Sequence, residues 1–269
     1  MPIISKRKLI TNVAAYAPAA SVFTPASLPG LVAWYDASVT GSFTKNGGGA
    51  ISNGDIIGTW ADQSGHGYTL TGNGISAPVY QSAGFNTTKP TANWDNADIR
   101  SFISANTVAG LSTNNACSCF VVGQMMSSAA AFAFLCAYQA NSDGNNDGAG
   151  SACFLLRDSG NNAIESRGGS GLVASNAFTP DVPVVLGVTQ STSACITYIN
   201  GASPVSDTGR GSNVFASPGL IGLGINVVGG VADVRTWGGK VSEYVLTNAV
   251  LSTGDRNSLY AYFQAKWGL

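Results

Sequence analysis

Glycoside hydrolysis, nucleophilic catalysis and metal binding each need particular side chains at particular spacings, and this sequence supplies few of them. Glycoside hydrolysis takes two carboxylates facing each other across a cleft. The chain has two glutamates, Glu165 and Glu243, far apart in sequence, so an acid–base pair would have to be assembled from distant aspartates. A serine or cysteine nucleophile takes a neighbouring base. The single histidine, His66, stands in the turn Ser64-Gly65-His66-Gly67, where its side chain is expected to point to solvent. Gly222-x-Gly224 is followed by Asn226 and Val227 and reads as strand rather than as a phosphate loop. This inventory points away from catalysis.

Two kinds of binding chemistry remain. Asp143-Gly144-Asn145-Asn146-Asp147-Gly148 fits the opening of a calcium loop, with hard oxygen donors at Asp143, Asn145 and Asp147 on a glycine-softened turn. Its twelfth position is Phe154 where a bidentate glutamate belongs, so a solvated loop between two strands is the competing reading. Neither the single histidine nor the cysteine spacing resembles a zinc site. Sugar recognition takes an exposed aromatic ring rimmed by amides and carboxylates. Of the five tryptophans, Trp34, Trp60 and Trp267 fall in apolar patterns and are expected in the core. Tyr68, Trp94, Tyr138 and Asn141 are the glycan candidates, with burial of Trp94 the competing expectation. Asp62 is a further oxygen donor whose expected task is to cap local N–H groups.

The elements that position these groups are read from composition and pattern. Charged residues make up 10% of the 269 residues, glycine contributes 34 and the net charge is −1, which excludes a helical, charge-laced protein and gives no basic field for a nucleic-acid backbone. No run of 18 apolar residues spans a membrane. The five cysteines are an odd number, which argues against a complete disulfide framework. Cys117 and Cys119 share one face of a strand and read as small buried hydrophobes.

Short apolar runs recur between turn signals: Leu31 to Tyr35, Ile56 to Trp60, Cys117 to Gln124, Ala131 to Gln139, Ala152 to Arg157, Val182 to Val188, Ala194 to Ile199, Leu220 to Ile225 and Gly239 to Leu246. Asn200-Gly201 is the clearest hairpin signal. Strands without intervening helical periods predict an all-β antiparallel sandwich. At the C-terminus, Leu251-Ser252-Thr253-Gly254-Asp255 opens like a capped helix, with Leu259, Tyr262, Phe263 and Trp267 expected on its buried face. Residues 1–27, punctuated by Pro2, Pro18 and Pro25 and carrying Lys6, Arg7 and Lys8, predict an extended arm ahead of a sandwich over 28–269.

Four segments in this order resemble the laminin G-like, concanavalin A-like jelly-roll family, in the version common in bacterial and phage proteins. They are Leu28-Pro29-Gly30-Leu31-Val32-Ala33-Trp34-Tyr35-Asp36-Ala37-Ser38, Trp60-Ala61-Asp62-Gln63-Ser64-Gly65-His66-Gly67-Tyr68, the Tyr198-Ile199-Asn200-Gly201 hairpin, and Gly238 to Leu246 with the terminal Ala261 to Leu269. The paired acidic strand motif of jelly-roll glucanases is absent. The resemblance implies an adhesive or sugar-binding module, of a kind sometimes fused to enzymes or mounted on virions.

The expectation is therefore a non-catalytic phage virion surface protein, a capsid decoration or a fibre or spike subunit. Its arm, through Lys6, Arg7 and Lys8, would dock on other virion proteins, the chain would form a homo-oligomer, and a host surface glycan would be its ligand. Calcium at Asp143, Asn145 and Asp147 remains open, and neither nucleic acid nor membrane is expected as a partner. The alternatives are a secreted bacterial lectin-like protein, with residues 1 to about 26 as an atypical export signal, and a polysaccharide hydrolase.

Overall fold

The computed structural model describes residues 22–72, 76–95, 101–108, 111, 116–127, 134–140, 152–157, 164–168, 172–173, 177–207, 219–224, 227–228, 231–232 and 237–269. In chain order the strands are β1 (Leu31–Asp36), β2 (Phe43–Lys45), β3 (Ile57–Trp60), β4 (Leu70–Gly72), β5 (Val79–Phe85), β6 (Lys89–Trp94), β7 (Phe102–Ser104), β8 (Cys117–Met125), β9 (Phe134–Ala140) and β10 (Ala152–Arg157). They continue with β11 (Ile164–Gly168), β12 (Leu172–Val173), β13 (Val184–Gln190), β14 (Cys195–Ile199), β15 (Ala202–Asp207), β16 (Gly219–Leu223), β17 (Val227–Val228), β18 (Val231–Ala232) and β19 (Gly239–Thr247), before one α-helix, α1 (Thr253–Trp267).

Two antiparallel sheets face each other, as the sequence predicts. The first runs β15-β14-β13-β8-β19-β6-β5, with β1 also paired to β19, and the second runs β12-β11-β10-β9-β16-β7-β4-β3-β2. β19 is flanked on one side by β8 along its length and on the other by β6 and then β1. Between the sheets Tyr35 stacks on Tyr244 at 5.6 Å, and Trp60 packs against Tyr35, Phe43 and Phe102. Each of these large rings taken from water contributes roughly 2–3 kcal/mol.

β8 and β13 read as near-continuous apolar runs because both of their faces are covered, one by the second sheet and the other by α1. Tyr260 of α1 meets Phe120 of β8 edge to face at 5.6 Å. Beside that contact Gly187 of β13 leaves room for the Phe120 ring, which a Cβ would strike. The helix begins where predicted: the Ser252 hydroxyl accepts from Asp255 N at 3.1 Å, and Gly268 closes the C-terminus in a left-handed conformation. Its buried face is Leu259, Tyr260, Phe263 and Trp267. Tyr262, expected there, lies on the flank and is half-buried, since the helical period that aligns 259, 263 and 267 brings 260 rather than 262 into the same stripe.

Further boundaries differ for local reasons. The expected strand from Val182 starts at Val184, because Pro183 has no N–H to give a ladder. The expected strand to Ile225 ends at Leu223, where Gly224 turns to φ 75°. β5 and β6, absent from the sequence reading, are joined through Asn86 and Thr87 at φ 43° and 60°, a positive-φ turn made without glycine. Asn200-Gly201 turns β14 into β15 as expected, with φ 50° and 74°. Trp34, expected in the core, points to the outer face of the first sheet, while its neighbour Tyr35 fills the core position.

Candidate functional site

The turn between β3 and β4 is organised by one carboxylate. Asp62 accepts from Trp34 N at 3.0 Å and Ser64 N at 2.9 Å on one oxygen, and from Ser64 Oγ at 2.7 Å and Tyr68 N at 3.1 Å on the other. Gln63 N donates to Trp34 O at 2.6 Å, Ser64 Oγ reaches Val32 O at 3.1 Å, and the Tyr35 hydroxyl donates to Tyr68 O. The local capping expected of Asp62 is therefore present, and it extends to β1. The whole Trp60 to Tyr68 segment seals the edge of β1 that β19 does not cover. An unpaired strand edge invites association with another chain, and this turn removes that edge.

At the apex of the turn His66 is exposed, as expected, and its ring lies parallel to Tyr68 with centroids 6.0 Å apart. Its Nδ1 is 3.0 Å from Ser64 Oγ. The Ser64–His66 contact lacks the arrangement of a nucleophile and base. Asp62 holds Ser64, and Ser64 Oγ is spent on the backbone of β1 as well.

A second polar centre lies under α1. Glu243 of β19 is 0% exposed. It accepts from Trp34 Nε1 at 2.7 Å, Tyr262 OH at 3.0 Å, Lys266 Nζ at 2.9 Å and Trp267 Nε1 at 2.6 Å. Lys266 Nζ also pairs with Asp36, and it donates to Tyr262 OH at 2.8 Å. Burial pushes the Glu243 carboxyl above the usual carboxylate range, Lys266 pulls it back and Asp36 adds to the rise. Burial and the Glu243 carboxylate together raise the Tyr262 hydroxyl.

Asp36 and Glu243 are thus brought together from distant parts of the chain, as an acid pair would require. Their oxygens are bridged by one lysine and roofed by a helix. A carboxylate holding four protein donors has no oxygen left for a leaving group or a water. The centre locks α1 to the sheet. Sequence reasoning missed it, although a glutamate inside the apolar run Val241 to Leu246 and two cationic or indole side chains in the terminal helix are its signature.

The other predicted residues fall into separate places. Trp94 and Tyr138 are both 0% exposed, which corrects their reading as glycan platforms. The Trp94 ring packs edge to face on Phe102 at 5.8 Å, and the Tyr138 hydroxyl donates to Val108 O at 3.2 Å. Tyr68 is half-buried beside exposed His66 and keeps contact with solvent. Lys6, Arg7, Lys8, Asn141, Asp143, Asn145 and Asp147 lie outside the described residues. Among the described residues no group of three or more His, Cys, Asp or Glu could hold a metal ion. A groove of about 580 Å³ runs between Val22 and Phe23 on one side and Ala261, Tyr262 and Ala265 of α1 on the other. A smaller depression of about 200 Å³ lies by Ser38, Phe43 and Tyr80.

Solved structures share this architecture. The chain is similar over 87% of its length to domain 4 of AbnA, a GH43 extracellular arabinanase from Geobacillus stearothermophilus, solved in complex with arabinotriose; the match covers 99% of that domain at 14% identity and TM-score 0.58. It is also similar to the binding domain of Paraclostridial Mosquitocidal Protein 1, covering 87% of this chain and 52% of that one, at 11% identity and TM-score 0.55. Both neighbours are β-sandwiches. No protein-family model and no curated protein matches the chain. At these identities the likeness establishes the fold.

Proposed function

We propose that this chain is a non-catalytic carbohydrate-binding β-sandwich of the laminin G-like kind. The observation that carries the reading is the match, over 87% of this chain and 99% of its counterpart, with an arabinanase domain solved in complex with arabinotriose. The acid inventory supports it, since the pair Asp36 and Glu243 is consumed in holding α1. Tyr68, half-buried and backed by His66, is the ring that offers a sugar face.

The test is affinity electrophoresis and calorimetry of the full chain against a panel of oligosaccharides that includes arabino-oligosaccharides, run beside an assay for reducing ends. Saturable binding without release of reducing ends, weakened at least about tenfold by Tyr68→Ala, is the expected result. Release of reducing ends, or no binding anywhere on the panel, overturns the reading.

The same proposal places the module on a phage particle through residues 1–27. The support is the family version that the sequence resembles and the basic trio Lys6, Arg7 and Lys8. Removal of residues 1–27 should leave the sandwich folded and abolish incorporation into particles. Unchanged incorporation, measured by mass spectrometry of purified virions, sinks the docking role. A processed chain free in the medium selects the secreted lectin instead.

A further inference from the structure

Cys117, Cys119, Cys136 and Cys195 carry buried thiols, and they are not equivalent. Cys117, Gln190 and Cys195 stand in one register row across β8, β13 and β14. The Cys117 thiol donates to Gln190 Oε1 at 3.8 Å, and Gln190 Nε2 donates to the Cys195 sulfur at 3.7 Å. With a strand between them, Cys117 and Cys195 sit two strand spacings apart, roughly 9–10 Å between Cα atoms. That exceeds the reach of a disulfide.

Cys119 and Cys136 have the opposite geometry. Cys119 belongs to β8 in the first sheet and Cys136 to β9 in the second. Their sulfur atoms are 3.3 Å apart in the middle of the sandwich, and both residues are 0% exposed. No strand lies between them, because they meet across the core. A contraction of roughly 1.2 Å in the S–S separation would reach bonding distance.

We infer that Cys119 and Cys136 form a latent disulfide that staples the two sheets together when the chain folds in an oxidising compartment. The oxidant is a small-molecule disulfide. The thiolate of one cysteine attacks it, giving a mixed disulfide and releasing one small thiolate. The thiolate of the other cysteine then displaces the second small thiol and closes the protein S–S bond. In sum, two protein thiols and one small disulfide give one protein disulfide and two small thiols.

Burial sets when this happens. Neither sulfur is open to a reagent in the closed sandwich, so the bond forms during folding or during a transient opening, and once formed it is shielded from reductant. The closed loop is short, and its removal from the unfolded ensemble shifts the folding equilibrium on the order of a hundredfold in favour of the fold.

The full chain is unfolded under reductant, refolded with or without a mixture of oxidised and reduced glutathione, alkylated under denaturing conditions, and mapped by proteolysis and mass spectrometry without reduction. Oxidative refolding is expected to lose two hydrogen masses, leave three alkylated cysteines of the five present, and yield a linked peptide pair containing Cys119 and Cys136. The oxidised chain should also unfold at higher urea than the reduced one, while Cys119→Ala/Cys136→Ala shows no such difference. Should that double variant fail to fold, the peptide map of the wild type decides alone. Native-like secondary structure with five alkylated cysteines, a link joining any other pair, or refolding that succeeds only without oxidant overturns the inference.

Discussion

Replacing Asp62 tests whether one carboxylate secures the edge of the sandwich. Its two oxygens take four hydrogen bonds, two from Trp34 N and Ser64 N and two from Ser64 Oγ and Tyr68 N. In Asp62→Asn the oxygen side keeps Trp34 N and Ser64 N, while the new NH₂ faces the Tyr68 N–H donor to donor. One hydrogen bond to a charged acceptor is lost, a cost of about 1–3 kcal/mol. Asp62→Ala loses all four. The turn is half-buried, so water recovers part of that loss and the net cost is about 3–4 kcal/mol rather than the full sum. Urea unfolding measured by tryptophan fluorescence gives both values, and the order alanine worse than asparagine is part of the prediction. Hydrogen exchange adds the location: the Trp34 and Tyr68 amides should lose protection in Asp62→Ala while the centre of β8 keeps it. Equal stability of Asp62→Ala and wild type, or loss of protection spread evenly over the sandwich, would refute the edge-sealing role.

Other consequences are more local. Ser252→Ala should cost about 1 kcal/mol in urea unfolding by removing the cap of α1. Gly187→Ala pushes a methyl group into the Phe120 ring and should cost about 1–3 kcal/mol through overpacking, with Phe120→Leu in the same chain restoring part of it. Glu243 carries a carboxyl whose titration is shifted upward in the fold by burial. Its contribution to stability is therefore full below the ordinary carboxylate range and is lost as pH rises through the folded value. As pH rises above the ordinary glutamate value of about 4.3, wild type should lose stability that Glu243→Gln does not lose, and parallel pH profiles for the two proteins would contradict this assignment.

The legible parts of the sequence were those where a local rule and the tertiary structure agree. Asn200-Gly201 needs nothing beyond its own backbone to turn β14 into β15, and the Ser252 cap answers only to the helix it starts. β8 is readable because both of its faces are covered and Cys119 to Val122 form an unbroken apolar run. The short strands β2, β4 and β7 are three residues each, and they exist because neighbouring strands of the second sheet pair with them. No periodicity can accumulate over so few positions. The site readings failed where side-chain direction decides. Trp94 sits among Asn and Asp residues, a polar setting in sequence, yet it ends β6 with its ring on Phe102. Tyr260 and Tyr262 differ by two positions, and that difference separates the buried face of α1 from the flank that holds Glu243.

The place of β19 in the first sheet also governs the order in which the fold can be completed. It is the last strand of the chain among the described residues, and it is the strand that joins β8 to β1 and β6. As the chain leaves the ribosome, β1, β5 and β6 have no central partner until well over a hundred further residues have been made. The first sheet exists until then as three unconnected pieces, β15-β14-β13-β8, β6-β5 and β1 alone. Such long-range closure makes for slow folding and a prolonged interval with uncovered apolar edges. The yield of folded protein should therefore depend on how quickly β19 arrives, and slowing synthesis just before Gly239 should favour aggregation over folding.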